Sequence, residues 1–507
     1  MSDYKTLLRG SSVRFVTLTC SIFIAFFMMP FIINGVGDKW YGLWVVIASL
    51  LSFYGMMDLG LSSATQRFLS YALPQNDKVK LNQYFNSSLL IYTLISLIVI
   101  IITAFLIIFA DSFIENTTDL NTFKIIFAIM GGTLAISFPF YVVNGVIVAN
   151  MRYDISAIIN LVKIIVRAIA IYYAISDGYG IIAMAMITSA TDLLANIVLT
   201  FFAMKLAPWI KFGKSFITKD IIKRLFAYSG YAFLGTTADK TKISSAPILI
   251  GSILGLNHVT VYAIAAQFVN YFKQLMSAIF SVLFPLFTKN FSLSKNDKQK
   301  SDFLLSLKLS SFTSTLGVLV IIVLCAPFID LWMGERFIQA SEILIILILG
   351  TGISSCQQPA VQLLMATNNH DKNTWLLVVE ATFTLILIVI LTPPFGLIGT
   401  AISLALPELV VRLFIQPKIV CGILNTRTKD YNLILYKQLL LMAVLIFIHI
   451  NISSHLILDT YLFLFLYAIF ISLSHTIASY FIVLSKHDRL VLSNIRSSLT
   501  PKNVSSI

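Results

Sequence analysis

Long apolar stretches constrain this chain of 507 residues more than any other feature of its sequence. The hydrocarbon core of a bilayer is about 30 Å thick, so a helix needs about 20 mostly apolar residues to cross it. Gly, Pro and polar clusters separate the stretches and tend to end helices. The pattern predicts an all-α integral membrane protein with about fourteen transmembrane helices, at 13–34, 40–61, 84–110, 123–148, 156–176, 181–204, 225–252, 259–287, 303–326, 342–366, 374–392, 396–420, 433–450 and 459–484.

The composition excludes the soluble function classes that a basic chain would otherwise suggest. The chain has 36 Lys and Arg against 23 Asp and Glu, a net charge of +13. A nucleic-acid-binding module has such a charge, but hydrophobic residues make up 58% of this chain and charged residues only 12%. Soluble domains have about 25% charged residues. We therefore expect no nucleic-acid partner.

The basic residues divide unevenly among the predicted loops. The outer side has only three basic residues, which are Lys39, Arg336 and Lys124 at the outer end of the span 123–148. Cytoplasmic loops carry the excess of Lys and Arg in membrane proteins, where they also contact anionic lipids. The asymmetry predicts a multi-pass protein with both termini in the cytoplasm. Its basic segments would be 205–224, 288–308, 418–437 and the tail after 486.

Two pairs of similar segments indicate an internal repeat. Residues 179–185 resemble residues 395–401, and residues 40–43 resemble residues 261–264 more weakly. The two pairs have offsets of 216 and 221 positions. Parallel repeats are a transporter design in which the substrate lies between the halves. We therefore predict a six-helix lobe at 1–210, a second six-helix lobe at 211–424, and two trailing helices with a basic cytoplasmic tail at 425–507.

Several cations fall inside the predicted spans. A charge at the centre of a transmembrane helix costs about 2.5–3.5 kcal/mol on insertion scales, so it needs a partner or an aqueous cavity. A group of such cations predicts a cavity of net positive character, which suits an anionic substrate such as a pyrophosphate or an acidic sugar. The candidate substrate-binding residues are Lys163, Arg167, Lys240, Lys242 and Lys273.

Acidic residues in the spans are candidates for coupling or for lining the cavity. They are Asp192, Asp239, Glu380 and Glu408. The first and last are 216 positions apart, so they are equivalent in the two repeats. Structural roles are also open, since Glu408 and Arg412 have the i,i+4 spacing of a local ion pair. Asp239 has Lys240 and Lys242 nearby in sequence and would neutralise one of them.

The His and Cys residues have no spacing that indicates chemistry. The six His are scattered, and the four Cys have neither metal-binding spacing nor a disulfide pattern. We therefore expect no cofactor, no metal and no enzyme activity. The open enzyme alternatives are an integral-membrane polysaccharide polymerase and an acyltransferase. A polymerase should have a large outer loop, which the predicted span pattern lacks.

Several short segments of the sequence resemble those of a known family. The segments 40–44 (WYGLW) and 58–61 (DLGL), with Arg67 downstream, are similar to the amino-terminal signature of Wzx-type polysaccharide flippases. These flippases belong to the multidrug/oligosaccharidyl-lipid/polysaccharide exporter superfamily. Segments 331–334 and 395–399 resemble further recurring features. The residues that carry the resemblance are Tyr41, Gly42, Asp58, Gly60 and Arg67.

The resemblance implies a fold and a function. The expected fold is a V-shaped pair of lobes around a cationic cavity. The expected activity is alternating-access flipping of undecaprenyl-pyrophosphate-linked oligosaccharide repeat units to the periplasmic leaflet of the bacterial inner membrane, for O-antigen or capsule synthesis. The implied partners are this lipid-linked substrate, membrane lipids, a polysaccharide polymerase and a chain-length regulator, and the protein would be monomeric. A cation-coupled multidrug exporter and a lipid II flippase of the same superfamily remain alternatives.

Overall fold

The computed structural model describes residues 2–112 and 117–483. These residues are almost entirely helical and contain no strand. The predicted basic tail lies outside the described residues. The α-helices are α1 (Ser2–Val36), α2 (Asp38–Tyr54), α3 (Leu61–Ala72), α4 (Lys78–Ile108), α5 (Thr117–Ser137), α6 (Phe140–Ala149), α7 (Tyr153–Ser176), α8 (Gly180–Leu206), α9 (Lys219–Ile253), α10 (Leu256–Phe280), α11 (Leu283–Ser292), α12 (Asn296–Met333), α13 (Gln339–Cys356), α14 (Gln358–Ala366), α15 (His370–Val410), α16 (Gln416–Leu424), α17 (Thr428–Ser453) and α18 (Tyr461–Ile482).

The helices confirm the prediction of an all-α, multi-pass membrane protein. Among the described residues, 12 helical stretches are long and apolar enough to cross a membrane. Two features account for the difference from the fourteen predicted spans. The charged helix α9 is not among the 12, and His370–Leu424 forms one stretch although its backbone turns at Gly396.

The chain folds into two compact units, Met1–Thr260 and Val261–Ile507. Helix α9 belongs to the first unit because it packs against α2, α3 and α4. The Ser244 hydroxyl of α9 donates a hydrogen bond to Ser52 Oγ of α2 at 2.9 Å. The predicted lobes, with boundaries at 210 and 424, were defined by the sequence repeat. The two units are defined by contacts and do not test these boundaries, which stay a prediction.

Left-handed backbone positions support the internal repeat. Most L-residues avoid positive φ because Cβ crowds the backbone, and glycine escapes this penalty. The chain adopts positive φ at turns between helices. Four of these positive-φ residues in the first half have a positive-φ counterpart 216 to 218 residues further along the chain. The pairs are Gly37 with Gly255, Asn76 with Ser294, Met151 with Asn368, and Gly180 with Gly396.

Helix breaks also recur between the two halves of the repeat. The fourth predicted span consists of α5 and α6, and the tenth consists of α13 and α14. Residues 138–139 and residue 357 separate the helices of these two pairs. The two halves therefore share their order of helices, turns and breaks along the chain.

Each unit has its own apolar core, and apolar side chains also face outward. Phe127 and Phe138 are fully buried in the first unit, as are Phe287 and Phe303 in the second. Large apolar side chains such as Phe447, which is 72% exposed, cover the outer faces of the spans. Such outer faces suit lipid contact in a transmembrane bundle.

Gly42 marks a close approach of two backbone segments in the first unit. An added Cβ at this position would lie 2.0 Å from the carbonyl oxygen of Leu256 and 3.2 Å from Thr260 Oγ1. The Thr260 hydroxyl donates a hydrogen bond to the Asp38 carbonyl at 2.6 Å. The start of α10 therefore packs directly on α2, and only glycine fits at position 42. Tyr41 lies beside it on α2 and is half-buried.

The segment Asp58–Leu61 forms a tight turn between α2 and α3. Leu59 and Gly60 both adopt left-handed backbone conformations, with φ of 51° and 76°. Asp58 Oδ1 accepts hydrogen bonds from the Ser62 backbone N–H at 3.2 Å and from Tyr92 Oη at 2.5 Å. Asp58 therefore caps the first turn of α3 and ties it to α4. Arg67 is exposed on α3.

We predict that Gly42→Ala destabilises the protein. The added methyl group would overlap the Leu256 carbonyl, and overpacking of this kind typically costs about 1–3 kcal/mol. Thermal unfolding in detergent should show a lower midpoint. The matched control is Gly132→Ala in α5, where an added Cβ meets open space. The control should be neutral or slightly stabilising, and equal effects of the two substitutions would contradict the close approach.

We predict that Asp58→Ala lowers stability by about 1–3 kcal/mol, since it removes a helix-capping acceptor and the partner of Tyr92. Asp58→Asn keeps an acceptor oxygen and should lose less. Thermal unfolding of Asp58→Ala, Tyr92→Phe and the double variant measures the coupling. The double variant should lose less than the sum of the single losses, because both substitutions remove one shared hydrogen bond. Additive losses would argue against that bond.

Candidate substrate-binding cavity of the first unit

The first unit contains a polar cavity of about 440 Å³. Helices α2, α5, α6, α7 and α8 supply its wall. A larger cavity of about 680 Å³ in the same unit and one of about 340 Å³ in the second unit have walls with a smaller polar share, although Lys39 and Asp119 line the larger one. The polar cavity therefore suits an ionic, hydroxylated ligand best. Its polar lining residues are Ser52, Thr133, Ser137, Tyr141, Lys163, Thr188, Ser189, Asp192 and Asn196.

Two of the predicted cations share one carboxylate at this cavity. Lys163 and Arg167 lie one helical turn apart on α7, and Asp192 lies on the neighbouring α8. Asp192 Oδ1 is 3.1 Å from Lys163 Nζ and 2.6 Å from Arg167 Nη2. One acid neutralises one cation, so this triad carries a net charge of +1. Its three side chains are 22%, 25% and 35% exposed for Lys163, Arg167 and Asp192 respectively.

The two cations of the triad have different surroundings. Arg167 Nε donates a hydrogen bond to Thr191 Oγ1 at 3.0 Å, and its Nη2 donates to the Thr188 carbonyl at 3.3 Å. Its guanidinium group is therefore fixed to α8 at several points. Lys163 lines the cavity with its ammonium group beside Asp192. Arg167 thus has the geometry of a positioning residue, and Lys163 that of a ligand contact.

Hydroxyl groups next to the triad lack hydrogen-bond partners among the described residues. Thr188 is 9% exposed and Ser189 is 7% exposed, and neither side-chain oxygen has a partner there. An unsatisfied buried polar group costs about 1–3 kcal/mol, so a bound ligand or water should satisfy them. Asn196 Nδ2 donates a hydrogen bond to Ser137 Oγ at 3.0 Å across the same cavity.

The Asp58 turn is connected to the cavity wall through two tyrosines. Tyr92, which donates to Asp58, packs edge to face against Tyr141, with ring centroids 5.7 Å apart. Tyr141 lines the cavity. The family-motif residue Asp58 therefore helps to position a wall residue of the candidate site.

The other predicted cations lie on α9 and α10. Lys242 is buried, with 6% exposure, on the same helix as Ser244, which contacts α2. Lys240 and Asp239 are exposed on α9, and Lys273 is half-buried on α10 in the second unit. The grouping of Lys240, Lys242 and Lys273 with Lys163 around one substrate stays a prediction.

The second unit contains a buried ion pair between two of the predicted polar positions. Arg412 Nε lies 2.8 Å from Glu380 Oε1, and the two side chains are 6% and 1% exposed. Arg412 lies in a π-helical turn, Val411–Ile415, and its carbonyl accepts a hydrogen bond from Gln357 Nε2 at 2.7 Å. Tyr431 Oη donates to Gln357 Oε1 at 2.8 Å. Glu408 is also buried, with 6% exposure.

Sequence reasoning found the acid of the cavity wall, Asp192, but missed the hydroxyl residues beside it and a second polar grouping. Thr188 precedes Asp192 by four positions and so lies on the same face of α8, a spacing that would have identified it. The second grouping surrounds His475, whose Nε2 is 3.1 Å from Thr315 Oγ1 and 3.2 Å from Gln438 Nε2. It joins α12, α17 and α18 and has no signal in the sequence. The described residues contain no cluster of three or more metal-ligating side chains.

The chain is similar to known membrane proteins of comparable length. It is 21% identical to the membrane protein EpsK of Bacillus subtilis (strain 168), with 80% of this chain and 81% of that protein covered. It is 22% identical to a putative O-antigen transporter of Shigella flexneri, with 78% and 93% covered. The solved structure of the lipid II flippase MurJ in an inward closed conformation matches with a TM-score of 0.68 and 17% identity, and covers 93% of this chain and 98% of that one.

The family comparison agrees with these likenesses. The structural match to MurJ shows a shared fold. The resemblance to Wzx-type flippases, predicted from residues 40–44, 58–61 and 67, is confirmed. A family model described as polysaccharide biosynthesis protein matches residues 40–342, more than half of the sequence, and the chain therefore belongs to the polysaccharide biosynthesis protein family.

Proposed function

We propose that this protein flips undecaprenyl-pyrophosphate-linked oligosaccharide repeat units from the cytoplasmic to the periplasmic leaflet of the bacterial inner membrane. The observation that carries the proposal is the net-positive triad of Lys163, Arg167 and Asp192 beside a hydroxyl-lined cavity, in a member of a polysaccharide biosynthesis family. The product would serve O-antigen, capsule or related surface polysaccharide synthesis.

The chemistry of the cavity matches the polar part of such a substrate. Ammonium and guanidinium groups form charge-assisted hydrogen bonds with phosphate oxygens. Lys163 supplies such a group at the cavity of the first unit, where Arg167 supports it by holding Asp192. Lys240, Lys242 and Lys273 would add further contacts to the pyrophosphate. Hydroxyl and amide side chains such as Ser137 and Asn196 would bind sugar hydroxyls, while the isoprenoid chain stays in the lipid.

Alternating access would carry the polar head across the membrane. In this proposal the lobes at 1–210 and 211–424 rock against each other, with both chain termini in the cytoplasm. A membrane potential that is negative inside assists outward movement of negative charge by about 2.3 kcal/mol per charge per 100 mV. Asp239, Glu380 and Glu408 are candidates for coupling to protons or sodium. A polymerase and a chain-length regulator would receive the flipped units from a monomeric transporter.

We predict that alanine at Lys163, Arg167, Lys242 or Lys273 abolishes surface polysaccharide without lowering the protein level. Alanine at Lys163, Lys242 or Lys273 would remove a charge-assisted hydrogen bond, which contributes about 1.5–3 kcal/mol. Arg167→Ala would leave Asp192 bound to Lys163 alone. Each change should therefore weaken substrate binding by about 10-fold or more. Gel analysis of surface polysaccharide from a complemented deletion strain measures the effect. Lys223→Ala, an exposed position near the start of α9, is the matched control.

Full polysaccharide production by all four variants would contradict the cationic substrate site. Full production by the control with loss in the four variants would support it. Complementation of a strain depleted of its lipid II flippase tests the lipid II flippase alternative, because a repeat-unit flippase should fail to restore growth. Drug accumulation assays test the multidrug-exporter alternative, because a multidrug exporter would reduce the accumulation of cationic drugs in cells.

A further inference from the structure

We propose that Asp192 is a built-in counter-anion that the diphosphate of the substrate displaces from Lys163. In this arrangement Lys163 contacts the substrate, and Arg167 is a positioning residue that holds Asp192 in place. The inference rests on the proposed function, because it takes the displacing anion to be the diphosphate of the lipid-linked substrate. It assigns Asp192 a role in setting anion affinity, in place of a role in binding a coupling ion.

The first observation is that both cations converge on a single oxygen atom. Lys163 Nζ and Arg167 Nη2 lie 3.1 Å and 2.6 Å from Asp192 Oδ1. A site for a coupling cation would need an excess of negative charge, whereas two cations already pair with this acid. The triad instead has one positive charge in excess, so an incoming anion is favoured at this position and a further cation is disfavoured.

The second observation is that the two cations are held unequally. Arg167 bonds to Asp192, to the Thr191 hydroxyl and to the Thr188 carbonyl, so its guanidinium has three separate anchors on α8. Lys163 lies at the longer distance from Asp192 and lines the cavity. The lysine side chain is also a flexible point charge, whereas the guanidinium has a fixed fork geometry. Lys163 is therefore the cation that an anion in the cavity would draw away from Asp192.

The third observation is a pair of hydroxyl donors at the place where the anion would bind. Thr188 and Ser189 line the cavity about one turn before Asp192, and their hydroxyl groups have no hydrogen-bond partner among the described residues. Both side chains are more than nine-tenths buried. Phosphate oxygens beside Lys163 would accept hydrogen bonds from these hydroxyls. A cavity of about 440 Å³ has room for a diphosphate group.

Asp192 would also promote release of the diphosphate after it has been displaced from Lys163. While the diphosphate holds Lys163, Asp192 stays bound to Arg167 and remains available to compete for the ammonium group. It therefore lowers the affinity for the anion and favours its departure. Removing the charge of Asp192 should strengthen anion binding. Substitution of an acid that binds a coupling ion would abolish transport without strengthening anion binding.

The experiment measures pyrophosphate binding to the purified full chain in nanodiscs of zwitterionic lipid, by titration calorimetry. Asp192→Asn and Asp192→Ser should each bind inorganic pyrophosphate about 10-fold more tightly than the wild type, and Lys163→Ala should bind at least 10-fold more weakly. The double variant Lys163→Ala/Asp192→Asn should bind as weakly as Lys163→Ala. Asp220→Asn, an exposed acid at the start of α9, controls for net charge and should leave the affinity unchanged.

A double-mutant cycle tests the role of Arg167. Arg167→Ala should weaken pyrophosphate binding, since Asp192 would then hold Lys163 alone. In the Asp192→Asn background the same substitution should change the affinity less than threefold, because the effect of Arg167 acts through Asp192. Equal losses in both backgrounds would show that Arg167 contacts the anion directly and would overturn its positioning role.

Unchanged or weaker pyrophosphate binding by folded Asp192→Asn and Asp192→Ser would overturn the counter-anion role. The same titrations with farnesyl pyrophosphate separate this outcome from a failure of the proposed function. A 10-fold gain for both ligands would support both proposals. A gain for inorganic pyrophosphate without any binding of farnesyl pyrophosphate would support the counter-anion and contradict a lipid-linked diphosphate as the substrate.

Discussion

The constraint on which the structure depends is the lack of water in the hydrocarbon core of the bilayer. Every backbone polar group there must bond within the chain, which explains the succession of helices. Every charge in a span needs a partner or a cavity. The triad on Asp192 in the first unit and the pair of Glu380 with Arg412 in the second meet this requirement. The triad is partly exposed, and its Lys163 and Asp192 line a cavity, whereas the pair is buried. This difference in burial distinguishes a candidate ligand site from a structural contact.

The two charged groups lie on the same pair of spans in each half of the repeat, but the span that carries the cation and the span that carries its acid are exchanged. In the first half the cations Lys163 and Arg167 lie on the fifth predicted span, and the acid Asp192 lies on the sixth. In the second half the acid Glu380 lies on the fifth span, and the cation Arg412 follows on the sixth. The repeat offset of 216 aligns Arg412 with the neutral Asn196. The halves therefore share an order of helices, but their charges have diverged: the triad has one positive charge in excess, whereas Glu380 and Arg412 neutralise each other.

The sequence was sufficient to predict the membrane spans and one face of the candidate site, because both depend on local spacing. Apolar length predicted the helices, and the four-residue spacing of Lys163 and Arg167 placed both on one face of α7. Contacts between distant segments could not be predicted in this way. Arg412 pairs with Glu380, a contact that i,i+4 spacing does not reveal, and α9 packs on the first unit although the repeat assigns it to the second half. Such pairings depend on how the helices pack, which local periodicity does not specify.

The counter-anion gives the proposed cycle a consistent electrostatic direction. The empty triad carries one positive charge, and a diphosphate diester is doubly ionised at neutral pH, so the loaded triad carries one negative charge. A potential that is negative inside favours outward movement of the loaded site and inward return of the empty site, by about 2.3 kcal/mol per charge per 100 mV across the full field. Without Asp192 the empty site would carry two positive charges, and the loaded site would be neutral. The outward step would then gain nothing from the potential. In the proposed cycle, Asp192 would therefore be the residue that allows the membrane potential to assist both halves.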